Sequence, residues 1–421
     1  MVQVLATSWA LLLGIGLLMI GNGMQGTLLG LRGGIEGFST AEMSVIMSAY
    51  FVGFLGSSRV TPILIRRVGH VRVFAALGSF ISAALILYPT VAQPWAWALL
   101  RVAIGFCFCG VYIVAESWLN NTATNETRGQ TLSAYMIVQM GGIVAAQGLL
   151  VFGDPSGFVL FVIPSVLVSL SFAPILLSVN PTPAFESSQA MSLRRLFRTS
   201  PTGCVGMFLM GLVFSAQFGM ASVYGSQAGM TAAEVAAFVA AIYTGGLLLQ
   251  FPIGWLSDRL DRRMLIVGAS LIGGGAALAA AVLSGAFVGL LVAAFLVGGM
   301  ANPLYALFIA YTNDYLDHAD MASASGGLLF INGLGAIAGP LITGAMMGAL
   351  GPNGFWLFLA AVMLTMAAYA LYRMTQRAAP SADETATYIG IVPTASPVAV
   401  EVAQEWAIDH AEEQDAAGST H

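Results

Sequence analysis

Long apolar runs recur twelve times along this chain, at about 5–30, 41–62, 72–91, 95–118, 130–152, 157–179, 202–226, 232–256, 264–284, 286–312, 323–349 and 353–373. Each can cross a hydrocarbon layer about 30 Å thick as a helix, which takes about 20 residues. Charged residues make up 8% of the 421, against roughly a quarter in soluble domains. The expected fold is therefore an all-α polytopic membrane protein with twelve transmembrane helices in two six-helix halves.

Charge orients the helices. All fifteen basic residues are Arg, which excludes a P-loop NTPase because that motif needs a Lys on the phosphates. Alternating the loops between two sides gives one side Arg59, Arg66, Arg67, Arg72, Arg128, Arg194, Arg195, Arg198, Arg259, Arg262, Arg263, Arg373 and Arg377. The other side receives Arg32 alone, and Arg101 falls within a span. The positive-inside rule makes the rich side cytoplasmic, so both termini are expected there. Cys107, Cys109 and Cys204 lie in apolar runs and read as buried hydrophobes. His70, His318, His410 and His421 fall in loops or tail, so no metal site, cofactor or enzyme activity is expected.

A repeat runs through the chain. GFSTAEMSVIMSAYFVG (37–53) aligns with GMTAAEVAAFVAAIYTG (229–245) at a shift of 192, which also sets Gln25 on Gln217; one further residue sets Tyr112 on Tyr305. Two parallel six-helix halves explain it, a common design in transporters. The division is 1–179 for the amino-terminal bundle, 180–201 for a cytoplasmic linker, 202–375 for the carboxy-terminal bundle and 376–421 for an acidic, disordered tail. Ser39 with Glu42 and Thr231 with Glu234 fit the S/T-x-x-E capping box at helix starts. Pro181 and Pro183 open the linker, and MSLRRLFR within it reads as a short interfacial helix. Residues 398–411 read as a second short helix.

GWLSDRLDRR (254–263) packs five charges between apolar runs. It matches the G-x-x-x-D-R-x-x-R-R signature that follows the second helix of a half in the major facilitator superfamily, so the chain resembles that family over about residues 5–375. The resemblance implies a cytoplasmic latch. Gly254 and Asp258 meet a neighbouring helix start, while Arg259, Arg262 and Arg263 meet carboxylates such as Asp314 and Asp317. The amino-half counterpart has Pro62 and Arg66 where Gly254 and Asp258 stand. Its gate is expected from Arg66, Arg67 and Arg72 with Glu116 and Arg128, because YIVAE (112–116) followed by Arg128-Gly129 resembles the end of helix four in sugar-porter-like members. AESWLN (115–120) is similar to the YcaD-like bacterial branch.

In this superfamily the first and fourth helices of each half line the cavity. Here they carry Asn22, Gln25, Arg101, Tyr112, Gln217, Asn302 and Tyr305, with Gln139 and Asn332 on the fifth helices. An arginine inside a membrane is costly and marks function by default, so Arg101 either attracts an anion, or couples proton and substrate by holding a nearby carboxylate ionised, or snorkels to the interface. Asn302-Pro303 predicts a break in span ten. Span one has no acidic residue, and the Gly-Pro run of antiporters stands in span eleven (Gly335 to Pro340) rather than five, where GGIVAAQG stands. This weakens drug efflux and favours glycine packing. The expected function is transport of a small anionic or neutral polar solute by alternating access, with proton coupling left open. The rival is a membrane assembly factor or receptor. Expected partners are that solute and lipid, with no nucleic acid, and the chain is expected to be monomeric.

Overall fold

A computed structural model describes residues 2–122, 127–177, 191–282, 286–376, 388, 390–391 and 399–400. Among these residues there is no strand. The helices are α1 (Val2–Ile35), α2 (Thr40–Val68), α3 (His70–Thr90), α4 (Pro94–Thr122), α5 (Arg128–Leu150), α6 (Val159–Leu177), α7 (Leu193–Thr199), α8 (Pro201–Ser215), α9 (Ala221–Gln227), α10 (Ala232–Ser257), α11 (Arg262–Val282), α12 (Phe287–Asn313), α13 (His318–Leu350) and α14 (Gly354–Met374). A π-helical segment, Ala216–Met220, joins α8 to α9, and the three make one continuous span. The expected all-helical membrane fold is present. Among the described residues eleven spans are long and apolar enough to cross a bilayer, and Val159–Pro174 in α6 is a shorter apolar stretch.

Several helices outrun the hydrophobic minimum. The 34 residues of α1 extend about 50 Å at the helical rise, so its ends project beyond a layer of about 30 Å. Two starts are fixed by side chains. Ser39 accepts from the Glu42 amide while the Glu42 carboxylate accepts from the Ser39 amide, and Thr231 and Glu234 do the same on α10. The predicted interfacial helix is α7, capped by Ser192 and tied to α13 through Arg195 and Asp320 at 2.6 Å. Pro181 and Pro183 lie outside the described residues, as does the second short helix expected over 398–411, apart from its helical residues 399–400.

Small residues set how closely the helices cross. A Cβ at Gly53 would lie 1.9 Å from the Val102 carbonyl oxygen, and one at Gly105 would lie 1.9 Å from that of Tyr50. The second half repeats this: Gly245 faces the Phe295 carbonyl at 2.0 Å and Gly298 that of Ile242 at 2.1 Å. These are the positions that shifts of 192 and 193 relate. Lipid gives helices no hydrophobic reason to associate, so backbone approach at glycine is what holds α2 on α4 and α10 on α12. Gly335 and Gly339 serve α13 in the same way against Phe208 and Ser215.

The halves meet along α1. Gly26, Gly30 and Gly34 fall on one stripe and face Phe218, Ser222 and Ser226, and each partner is the residue 192 positions later. The repeat therefore closes on itself about a pseudo-two-fold axis. Ser48 Oγ donates to the Ile337 carbonyl at 2.6 Å, and Gln227 donates to Thr40, adding contacts between α2 and the second half.

The glycine crossings predict that Gly105→Ala destabilises the purified protein. Overpacking costs about 1–3 kcal/mol, read as a lowered thermal midpoint in detergent. Gly275→Ala, with nothing within 4 Å, should leave the midpoint unchanged.

Candidate functional site

The site grows from Arg101. Pro94 opens α4, a helix start that proline suits because its missing N–H has no partner there anyway. Seven residues later, about 10 Å along the axis, Arg101 is 0% exposed. Of the three readings, snorkelling to the interface does not fit, because its head is enclosed. One guanidinium nitrogen donates to Gln25 Oε1 at 2.9 Å, another lies 3.4 Å from Met47 Sδ, and the plane sits 4.8 Å over the Tyr50 ring.

Gly105 explains this cage. It stands one turn beyond Arg101 and lets the Tyr50 backbone touch α4, which brings Tyr50 and Met47 onto the guanidinium. The Tyr50 face offsets part of the buried charge, by about 2 kcal/mol for a desolvated cation–π pair. No carboxylate does so: among the described residues Arg101 has no ion-pair partner. Its Nε also lacks a hydrogen bond, as does the Tyr50 hydroxyl.

From Gln25 the polarity continues in one direction. Gln25 Nε2 donates to Asn22 Oδ1 at 3.1 Å, Asn22 Nδ2 donates to the Tyr112 hydroxyl at 2.8 Å, and that hydroxyl points to Met19 Sδ at 3.6 Å. Four predicted residues, Arg101, Gln25, Asn22 and Tyr112, thus form one buried network across α1 and α4. Each amide uses both its ends, so its orientation follows from the arginine donor at the head.

The second half does not copy it. The position equivalent to Arg101 is Ala294. Gln217, the partner of Gln25 in the repeat, sits in the π segment, and its buried Nε2 has no hydrogen bond. The Tyr305 hydroxyl is buried without one as well. Asn302 donates to Gly298 of its own helix at 3.3 Å, and Asn332 donates to the Met207 carbonyl at 3.0 Å, which joins α13 to α8. The break expected in span ten is absent, since α12 runs through Pro303 without interruption. Span seven carries the irregular stretch instead, a π-helical turn at Ala216–Met220 inside a continuous helix, where the chain has no proline.

Aromatic rings separate the two sets. Tyr50 lies 5.3 Å from Phe218, and Phe51 lies about 6 Å from Phe214 and Phe218, so α2 and the π segment meet ring to ring between the halves. Phe54 closes on Tyr112 at 6.2 Å. Arg101 therefore sits one ring behind the surface on which the halves touch.

The arginine-rich face holds the residues expected to form the gates. Arg262 binds both oxygens of Asp314 at 2.5 and 2.7 Å and also donates to Ser257, and the two ion-pair side chains are almost fully buried. Arg263 pairs with Asp261 at 2.8 Å, while Arg259 stacks 4.1 Å over Trp255. Asp317 stands at the N-cap of α13 without a side-chain cap hydrogen bond, and among the described residues it forms no ion pair with the arginines expected for it. Asp258 accepts from the Tyr388 amide at 2.9 Å, in place of the expected helix start, and Gly254 lies under the Tyr388 ring.

In the first half Glu116 is buried and accepts from the Tyr135 hydroxyl at 2.5 Å, and Gln139 donates to that hydroxyl at 2.7 Å. Gln139 thus belongs beside Glu116 and not alone on a cavity wall. Arg66, Arg67 and Arg72 are exposed, and the Arg128 side chain lies outside the described residues. Met47, Tyr50, Tyr135 and Tyr388 escape a reading of the sequence. A tyrosine in the middle of an apolar run was the available signal for Tyr50 and Tyr135, whereas Tyr388 lies far from its partners along the chain.

Comparison with known proteins agrees with this architecture. The profile described as Major Facilitator Superfamily matches residues 11–246 and 203–402. The uncharacterised MFS-type transporter YcaD of Salmonella arizonae is 26% identical over 359 residues, covering 84% of this chain and 92% of that protein. YcaD of Salmonella typhimurium aligns with the same identity and coverage. Crystal structures of the nucleoside transporter NupG superpose with TM-scores of 0.74 for a point mutant and 0.72 for the unmutated protein, at 15% and 16% identity. They cover 87% and 88% of this chain and 99% and 100% of theirs. With its helices, internal repeat and matching profile, this chain belongs to the major facilitator superfamily, a family of transmembrane transporters.

Proposed function

We propose that the protein carries a small organic anion across the cytoplasmic membrane by alternating access, with Arg101 as the anchor. The observation that carries this reading is a fully buried arginine without a carboxylate among the described residues. A buried cation is normally paired, and an anionic solute supplies the missing charge. Tyr50 covers the guanidinium and touches Phe218 of the other half, so separation of the halves uncovers Arg101 to cargo. The bundles 1–179 and 202–375 move as units about the stripe of Gly26, Gly30 and Gly34. Orphaned Gln217 Nε2 and the Tyr305 hydroxyl offer the second half's grip.

On the arginine-rich face, taken as cytoplasmic with both termini, the Arg262–Asp314 pair braces the second half while the Glu116–Tyr135 pair joins α4 to α5. The amide and aromatic lining also fits a neutral planar solute. That second reading rests on the Tyr50–Phe218 contact, and nucleoside transport by the NupG structures is in keeping with it.

Thermal-shift screening of the purified chain against mono- and dicarboxylates, phosphorylated metabolites and neutral nucleosides separates the two. An anion should stabilise the wild type. Arg101→Gln should bind it about 10- to 150-fold more weakly, as loss of a charged hydrogen bond worth about 1.5–3 kcal/mol requires. A neutral ligand held equally by both forms would sink the anion reading.

Asp314→Ala leaves Arg262 buried without its partner, which costs about 3–5 kcal/mol. Its melting temperature should fall well below that of Arg263→Ala, and the double variant Arg262→Met/Asp314→Leu should regain most of the loss.

A further inference from the structure

Residues beyond 376 form a tail with eight acidic side chains and no Lys, and its single Arg377 stands at the very start. Five residues of it are described, Tyr388, Gly390, Ile391, Ala399 and Val400. Ile391, Ala399 and Val400 are buried at 7%, 5% and 0% exposure, and Tyr388 makes a set of contacts along one stripe of α10. Gln250, Gly254 and Asp258 are spaced by four and so share a helix face.

Tyr388 spans that face. Its amide donates to Asp258 Oδ1 at 2.9 Å and its hydroxyl accepts from Gln250 Nε2 at 2.8 Å. Its ring covers Gly254, where a Cβ would come within 2.5 Å of Tyr388 Cε1. Any side chain at position 254 would therefore lift the ring off the helix. Burial pushes the Tyr388 hydroxyl up, so it stays neutral at cellular pH.

Two residues later the tail runs between the halves. A Cβ at Gly390 would lie 3.3 Å from Met136 Sδ on α5 and 3.2 Å from Gln250 Nε2 on α10. We propose that the cleft between α5 and α10 on the arginine-rich face is a peptide-binding site, that its occupant is this chain's own Tyr388, Gly390 and Ile391, and that its occupancy staples the two halves together.

The tether permits it. Twelve residue steps from Gln376 to Tyr388 reach at most about 40 Å, so the tail's effective concentration at the cleft is about millimolar. The docked tail takes the Gly254–Asp258 pair that the family signature assigns to the latch, so docking and latch closure compete for one surface. Loading of cargo from that face then requires release of the tail. The inference does not depend on which solute Arg101 holds.

The test uses the full-length protein with Met136→Cys as reporter and a hydrophilic maleimide as probe. The three native cysteines are buried and supply the baseline. Labelling of the thiol placed at 136 should be slow with the native tail. Adding Tyr388→Ala should speed it about tenfold or more, as expected for truncation of an anchoring aromatic. Tyr388→Phe keeps the ring and the amide and should stay close to the slow rate. Equal rates for Tyr388→Ala and the native tail overturn the proposal. So does labelling of the native cysteines in Tyr388→Ala, which would mean general loosening in place of release from one cleft.

Discussion

Helices in hydrocarbon gain nothing from hiding apolar surface against one another, so their association depends on how closely backbones approach. In this protein that approach is made at glycine, and everything else is placed by it. The α2–α4 crossing at Gly53 and Gly105 recurs as the α10–α12 crossing at Gly245 and Gly298. The halves then meet where Gly26, Gly30 and Gly34 face their own repeat equivalents. Except at Gly26, whose nearest atoms lie 4.0 Å from that position, a Cβ at these points would push apart elements whose remaining contacts are weak dispersion and a few hydrogen bonds.

The same crossing creates the polar site. Because Tyr50 is pulled onto Gly105, its ring and the Met47 sulfur land on Arg101 one turn away, and the charge is caged by soft and aromatic partners in place of a carboxylate. Two halves with a common backbone have diverged at this spot. One carries a completed chain of donors from Arg101 to Tyr112, while the other has Ala294 and an unpaired Gln217 in a π segment. Symmetry gives the protein its axis, and the break in symmetry leaves its buried cation on one side of that axis. The arginine-rich face differs between halves as well, since one Arg262 nitrogen holds both oxygens of Asp314 in a buried pair, while in the first half Glu116 is held by Tyr135.

Much of this was legible from residue order. Hydropathy located the spans, the offset of 192 exposed the repeat, and the spacing of Ser39 with Glu42 and Thr231 with Glu234 announced two helix starts. Arg101, Gln25, Asn22 and Tyr112 stood out because polar groups are expensive in a membrane. What escaped was whatever depends on which residues face one another. Asn332 resembles a cavity residue by its position but ties α13 to α8. Pro303 looks like a helix breaker, yet α12 runs through it, and the irregular turn is the π-helical Ala216–Met220. Asp258 matches a signature that meets a helix start and instead accepts from the amide of Tyr388, 130 residues away.

By itself the sequence determined that the chain is helical, that it is apolar enough to cross a membrane many times and that it is built twice. Those properties follow from local quantities: apolar length, sparse charge and repetition at a fixed shift. Only the tertiary structure decided that Arg101 lies enclosed behind Tyr50, that the two glutamines of the repeat have different surroundings and that Gly390 sits between α5 and α10. Each of these is a matter of a few ångströms between residues far apart in the chain, and such distances are set by how helices pack rather than by the order in which they are written.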